Sequence, residues 1–446
     1  MRRLIYRLTE PAQTIPDARK IFSNHDLGVL IVPLFLEQLL EVLVGVADTF
    51  MVSYAGEASV SGVSLVNMFN TVFIFLFSAL AAGGAVVVSQ YIGSHDEKNG
   101  SLSAGQLVMI AAVFSTAAMI FSLALNRQLL RLLFGEVDRD VMEACVTYLQ
   151  ISAYSYPAIA VYNAGAAVYR SMGKTRVTMN ISLAANGINI TGNAIGVFIF
   201  HAGVAGVAYP SLIARTFSAV VILFLCFRQQ EGMPDSRENK RPVCVRLKWK
   251  NILWWEGGMV KRILGIAVPN GIENGLFQLT KVALSSITAL FGTVQIAANG
   301  VAQSFWSVAA LMGTALGLAF VTVIGQCMGA GDTDAAEYYM KKLLRITFLA
   351  SILWNALILL AAPLVLKGYA LSNGLRAAGD VKFTMYVSIV STIGCRVVFS
   401  VLFGIYLYMG VIGIAFAMCL DWMIRAAFFW SRFRKGKWKE FRVIGQ

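Results

Sequence analysis

The chain runs to 446 residues, 57% of them apolar and only 14% charged, with a mean hydropathy of +0.68. That composition excludes an ordinary water-soluble domain. A formal charge of +13 would suit nucleic acid, but the placement of the charges excludes that partner and points to a lipid bilayer.

Residues 1–26 are polar, carry Pro11, Pro16 and five Lys/Arg, and lack the short apolar stretch and small-residue cleavage site of a secretory signal. Apolar runs follow at 27–52, 63–92, 103–125, 142–168, 175–200 and 204–226. Each is long enough to cross about 30 Å of hydrocarbon. Backbone groups in lipid must pair internally, so each run is expected to be a helix. Together they make an amino-terminal lobe, 27–227. A connector at 228–258, with Pro234, Pro242 and many charges, is the clearest domain boundary. The second lobe, 259–431, offers runs at 260–290, 295–327, 343–366, 381–407 and 410–431, ahead of a basic tail at 432–446. The fold class is therefore an all-α polytopic membrane protein of two helical lobes, six helices and then five.

Lys and Arg gather in alternate connections: Arg2, Arg3, Arg7, Arg19 and Lys20; Arg170, Lys174 and Arg176; nine in 228–262; and the tail from Arg432. The connections at 53–60, 200–204, 291–295 and 407–411 contain none. By the positive-inside rule the amino terminus, the connector and the tail are cytoplasmic, and the protein belongs in the inner (cytoplasmic) membrane of a cell. Cys145, Cys226, Cys244, Cys327, Cys395 and Cys419 are scattered without paired metal-site spacing. With no nucleophile triad or nucleotide fingerprint, no enzyme and no cofactor are expected.

The chain repeats itself. Residues 32–96 shifted by 236 fall on 268–332, so that Val32-Pro33 meets Val268-Pro269, Glu37 meets Glu273, and Gln90, Gly93 and Asp96 meet Gln326, Gly329 and Asp332. Arg170, Gly173, Thr178 and Met179 meet Arg376, Gly379, Thr384 and Met385 at an offset of only 206. The second copy is thus 30 residues short, and the loss falls between Lys367 and Tyr369, where helix ten should be. A stub at 367–376 is all that stands for it. Lys341 and Lys342 mark one cytoplasmic loop and Arg376 and Lys382 the next, yet two crossings need roughly 40 residues. The ninth segment is then a strained hairpin, or the orientation reverses after residue 367, or the deletion is an artefact of the sequence record.

Glu37, Glu41 and Asp48 share one stripe of the first run: at about 100° per residue, Glu41 lies about 40° and Asp48 about 20° from Glu37. Carboxylates inside a bilayer cost a few kcal/mol and usually handle ions or protons. Glu37 also admits a structural role, since Glu273 repeats it, whereas Asp48 meets Leu284 in the second copy. Pro33 removes a backbone bond and permits a kink. Asp421 and Arg425, four apart on one face, are expected to neutralise each other. Lys281 is a loose partner for Glu273, and Arg396 is a further intramembrane charge. Phe73, Phe77, Phe305 and Trp306 either stack on planar cations or pack against lipid. Gly83, Gly84, Gly313 and Gly317 are expected to be close helix contacts.

Pro33 with Asp48 in ADTFMVS, the Gly93–Asp96 and Gly329–Asp332 loops, YRSMGKTRVTMN, LRAAGDVKFTM and LDWMIRAAFFWSRFRKGKW resemble the multidrug and toxic compound extrusion (MATE) family, notably its bacterial NorM/DinF-like members. The resemblance covers Leu27 to Trp438. It implies two pseudo-symmetric six-helix lobes around a central cavity, exporting small organic cations and amphiphiles in exchange for protons or sodium ions. It further implies that Pro33 bends the first helix, and that Asp48, Asn189, Asn193 and Ser211 line a cation-coupling site, with sodium the one candidate metal ion. Those relatives have an acid where this chain has Asn193. In the second lobe the resemblance places an acid at Phe277 or Gln278, about one turn beyond Glu273, and another in the deleted helix. Glu37, Glu41, Glu273, Gln278 and Lys281 are thus accessory candidates. A monomer is expected. The alternatives are a lipid-linked sugar flippase, which the acidic first helix disfavours, and a transport-incompetent remnant.

Overall fold

The computed structural model describes the backbone of residues 10–11, 15–16, 19–52, 54, 57–134, 138–228, 245–289 and 307–377, with short stretches between 383 and 435. It divides into two compact units, Met1–Phe348 and Leu349–Gln446.

In the first unit Ser23 and Asp26 cap α1 (Asn24–Val52) reciprocally: the Ser23 amide donates to Asp26 Oδ2 at 2.9 Å, and the Asp26 amide to Ser23 Oγ at 3.2 Å. α2 (Glu57–Gly93) and α3 (Glu97–Ala124) follow, then the short α4 (Asn126–Phe134), α5 (Arg139–Tyr154) and α6 (Tyr156–Ser171). α7 (Thr175–Ala194) passes through a wide π turn, Ile195–Ile199, before α8 (Ala205–Phe227). After the connector come α9 (Trp249–Leu253), α10 (Gly257–Ala289), α11 (Leu311–Gly329) and α12 (Thr333–Ala377). Six helices are long and apolar enough to span a membrane among the described residues.

The run at 142–168 forms two helices, not one. Pro157 occupies the first turn of α6 and has no N–H to continue α5; the Ser155 hydroxyl donates to the Ser152 carbonyl at 2.6 Å across the break.

Repeat-related residues meet where α2 and α11 cross. A Cβ added to Gly93 would lie 2.7 Å from the Gln326 carbonyl carbon, and one on Gly329 would lie 2.6 Å from that of Gln90. Gly325 sits likewise on Ser89, its counterpart in the first copy. Only glycine lets the two backbones approach this closely. Gly83 and Gly84 are similarly tight against Ala267 and Leu107, whereas Gly313 and Gly317 have no described atom within 4 Å of an added Cβ. The expected close contact at that second pair is absent among the described residues.

The segments leading into the first helix of each copy are exchanged. The described residues between Glu10 and Phe22 precede α1 but lie on the start of α12: Tyr339 Oη accepts from the Phe22 amide at 2.9 Å and donates to its carbonyl at 2.7 Å. Lys342 Nζ and Tyr338 Oη donate to the Glu10 carboxylate, each at 2.6 Å, and Arg19 pairs with Asp332 and Asp334. Residues 245–256 enter α10 but lie on α3: Gln106 Nε2 donates to the Asn251 and Trp254 carbonyls at 2.6 and 2.7 Å, and its Oε1 accepts from the Glu256 amide at 3.0 Å. Gln106 and Lys342 are themselves 236 apart. Two crossed straps therefore hold the copies together at one end. The apolar clusters are crossed in the same way: Leu27, Leu30 and Leu34 of α1 pack among Ala319, Val323 and Tyr339, while Val260 and Ile263 of α10 join the core of α2, α3 and α6.

α12 is one uninterrupted helix of 45 residues. It absorbs the stub at 367–376 as an extension of helix nine, and no hairpin forms in 333–377. At 1.5 Å per residue such a helix is about 68 Å long, far beyond one crossing. In the second unit Arg425 grips Asp421 through Nε and Nη2 at 3.0 and 2.9 Å, Ser391 Oγ also donates to that carboxylate, and Phe383 meets Phe429 edge-on. A short turn, α13 (Val398–Val401), lies between.

Candidate functional site

The acidic stripe of α1 divides into three environments. Glu37 is 5% exposed. Its Oε1 accepts from Arg170 Nη2 at 2.7 Å and its Oε2 from Thr178 Oγ1 at 2.9 Å. Arg170 ends α6 and Thr178 opens α7, so Glu37 anchors the turn between them. Thr175, in the same turn, addresses Pro33. A proline cannot donate to the carbonyl four residues back, which leaves the Val29 carbonyl free, and Thr175 Oγ1 lies 3.3 Å from it and 3.0 Å from the Leu30 carbonyl. The turn that precedes Pro33 thus recovers a donor from α7. α11 completes the cluster: Thr322 Oγ1 donates to the Arg170 carbonyl at 3.0 Å and Gln326 Nε2 to that of Ser171 at 2.7 Å. Glu41 is exposed, with Gln38 Nε2 at 3.3 Å.

Asp48 is half-buried and accepts from Asn193 Nδ2 at 2.7 Å. Asn193 Nδ2 also lies 3.1 Å from Asn189 Oδ1, and Asn189 Nδ2 donates to Ser211 Oγ at 2.9 Å. The four candidates thus form a continuous chain from α1 through one face of α7 to α8. Asn193 is fully buried, yet its Oδ1 has no described partner. A buried acceptor left unpaired costs about 1–3 kcal/mol, so this oxygen, beside a carboxylate, suits a cation, a protonated group or water. Four oxygen-bearing groups of this kind fit a small hard cation in donor type. No cluster of three or more His, Cys, Asp or Glu suited to a metal occurs among the described residues.

Several neighbours escaped the sequence reading. Arg215 lies one turn beyond Ser211 on α8 and donates to Ser155 Oγ at 2.8 Å. Tyr148 Oη is 3.2 Å from Asn67 Oδ1, and Tyr156 Oη donates to Asn70 Oδ1 at 2.7 Å. A lone arginine in a 23-residue apolar helix was the available signal. Phe77 is buried in the apolar core and the partly exposed Phe73 packs against it, their ring centroids 5.9 and 5.1 Å from that of Tyr156.

In the second copy Glu273 is exposed and has no polar partner among the described residues. The backbones of Gln278 and Lys281 belong to α10, but their side chains lie outside the described residues, as do Phe305, Trp306 and Arg396 entirely.

An all-helical protein that crosses the bilayer many times and is built from two copies of one helical unit has the architecture of a membrane transporter. Residues 33–195 and 269–372 match the MatE family model; together they exceed half of the chain, and the chain belongs to that family. It is therefore a multi-pass membrane transporter and not an enzyme. It is 27% identical over 438 residues to the "Uncharacterized transporter YisQ" of Bacillus subtilis, covering 91% of this chain and 93% of that one. It is 22% identical to the "Probable multidrug resistance protein NorM" of Thermotoga maritima, covering 100% and 98%. A crystal structure of MATE in the straight conformation shares the fold at a TM-score of 0.65 and 18% identity, covering 96% of this chain and 100% of that one. The alignment to the Thermotoga protein occupies 476 positions against the 446 residues here. That relative thus carries at least 30 residues without a counterpart here.

Proposed function

We propose that the protein is a secondary-active exporter of small cationic and amphiphilic compounds, driven by protons or sodium ions entering through the amino-terminal lobe. The observation that supports this best is the Asp48–Asn193–Asn189–Ser211 chain with its unpartnered Asn193 Oδ1. A half-buried carboxylate facing neutral oxygen donors gains most from a monovalent cation, because burial penalises its bare charge. Loading neutralises Asp48 and changes what α1 packs against, and the Pro33 region, already short of one backbone bond, is where that helix yields. The basic connections set the strapped end in the cytoplasm, with amino terminus, connector and tail on that side. The α2–α11 crossing and the two straps then close the cytoplasmic side, and the transport cycle must part them. The protein works as a monomer of two lobes, 27–227 and 259–431, flanking the connector.

The continuous α12 and the 30-residue shortfall support a second reading, a remnant that binds its ligands without moving them. One experiment addresses both: ion-gradient-driven dye efflux from proteoliposomes by this chain, by Asp48→Asn, and by a chain with thirty residues restored after Lys367. Coupled efflux that Asp48→Asn abolishes is the expected result. Undiminished efflux in Asp48→Asn overturns the coupling role, and efflux only from the restored chain establishes the remnant.

A further inference from the structure

Arg215 is an intramembrane cation whose described hydrogen bonding is to one neutral group. Charged residues at the centre of a membrane helix cost a few kcal/mol or more and generally face a partner or a polar interior. A guanidinium has five N–H donors, and among the described residues one is used, on Ser155 Oγ at the break between α5 and α6. Ser211, the last link of the polar chain, stands one turn before Arg215 on the same face of α8, where residues four apart are neighbours. The polar chain that Ser211 ends runs through Asn189 and Asn193 to Asp48, the carboxylate of this site. Asn193 contributes no charge. The cluster therefore holds one negative and one positive side chain.

We propose that Arg215 is the ion-specificity determinant of the Asp48 site, a tethered cation that offsets the carboxylate of that site and so keeps sodium from binding there. This rests on the reading of Asp48 as the coupling carboxylate and goes beyond it by excluding one of the two ions left open above. Sodium is held by the net negative field of its site and by oxygen ligands. Asp48, Asn193, Asn189 and Ser211 supply the ligands, and Arg215 removes the field. Ser155, at a break that Pro157 imposes, holds the guanidinium one turn beyond Ser211 without neutralising it.

The test is titration of purified full-length protein with sodium chloride, with choline chloride matching ionic strength, read by calorimetry. The proteins are the parent chain, Arg215→Gln, Arg215→Lys, Asp48→Asn and Asp48→Asn/Arg215→Gln. Arg215→Gln should bind sodium at least tenfold more tightly than the parent, Arg215→Lys should match the parent, and the double variant should lose the gain. Sodium affinity unchanged in Arg215→Gln overturns the proposal, as does a gain that survives Asp48→Asn. Should Arg215→Gln fail to fold, millimolar or tighter sodium binding by the parent that Asp48→Asn removes is also fatal to it. Titration reads Arg215 independently of transport, so silent dye efflux with the expected sodium series would sink the exporter reading alone.

Discussion

Gly93→Ala is expected to drive α2 and α11 apart. The added carbon would sit 2.7 Å from the Gln326 carbonyl carbon and 2.8 Å from its Cα, whereas unstrained carbon contacts lie at about 3.5–4.0 Å. The helices must therefore separate by about 1 Å. Overpacking costs about 1–3 kcal/mol, and here both faces are backbone, with no flexible side chain to yield, so the upper end applies. About 2.8 kcal/mol is a hundredfold change in the ratio of two states. If this crossing closes one side of the transporter, Gly93→Ala and Gly329→Ala should each shift the population toward a form open at that end. Spin labels at the exposed positions Ser94 and Thr333, in a background without native cysteines, would show a longer separation by double electron–electron resonance. Gly317→Ala is the control. It has no described atom within 4 Å of its added carbon and removes a helix-interior glycine, so it should stabilise by up to about 1 kcal/mol. An unchanged distance distribution and thermal midpoint in both Gly93→Ala and Gly329→Ala would refute the reasoning.

Removing one partner of a buried ion pair strands the other, at about 3–5 kcal/mol. Glu37→Ala should therefore lower stability in detergent by roughly that amount, and Glu37→Met/Arg170→Met should recover most of it; a loss under about 1 kcal/mol from Glu37→Ala would make the pair incidental. The amino-terminal strap should release in acid. Burial raises the Glu10 carboxyl, but hydrogen bonds from Lys342 and Tyr338 outweigh it and hold the group below its ordinary 4.5. A depressed folded value stabilises the strap above 4.5 and loses that contribution as pH falls through the folded value. A fluorophore at the exposed position 16 should gain mobility below pH 4.5, and in Glu10→Gln should be mobile at every pH. A transition above pH 6 would assign the release to another group.

The sequence by itself determined the class and an internal repeat whose second copy is 30 residues short. Hydropathy sets helices in a bilayer because no other open structure satisfies its backbone there, and an internal repeat is visible wherever the residues repeat. The position of the 30-residue loss was equally legible, since an offset either holds or does not. Spacing also put Glu37, Glu41 and Asp48 on one stripe, because helical geometry alone fixes that angle. Only the tertiary structure separated their surroundings. Glu37 faces Arg170, distant by 133 residues, and Asp48 faces Asn193, distant by 145. Such partners are selected by which helices pack together, and periodicity within one helix carries no record of its neighbours. The exchanged straps show the same limit. Glu10, Arg19 and Phe22 read as parts of a polar leader and 245–256 as part of a connector, and nothing local says that they contact the other copy. That arrangement follows from the pseudo-two-fold crossing of α2 and α11, where glycine contacts bring the two copies close enough for each leading segment to reach its neighbour's third helix.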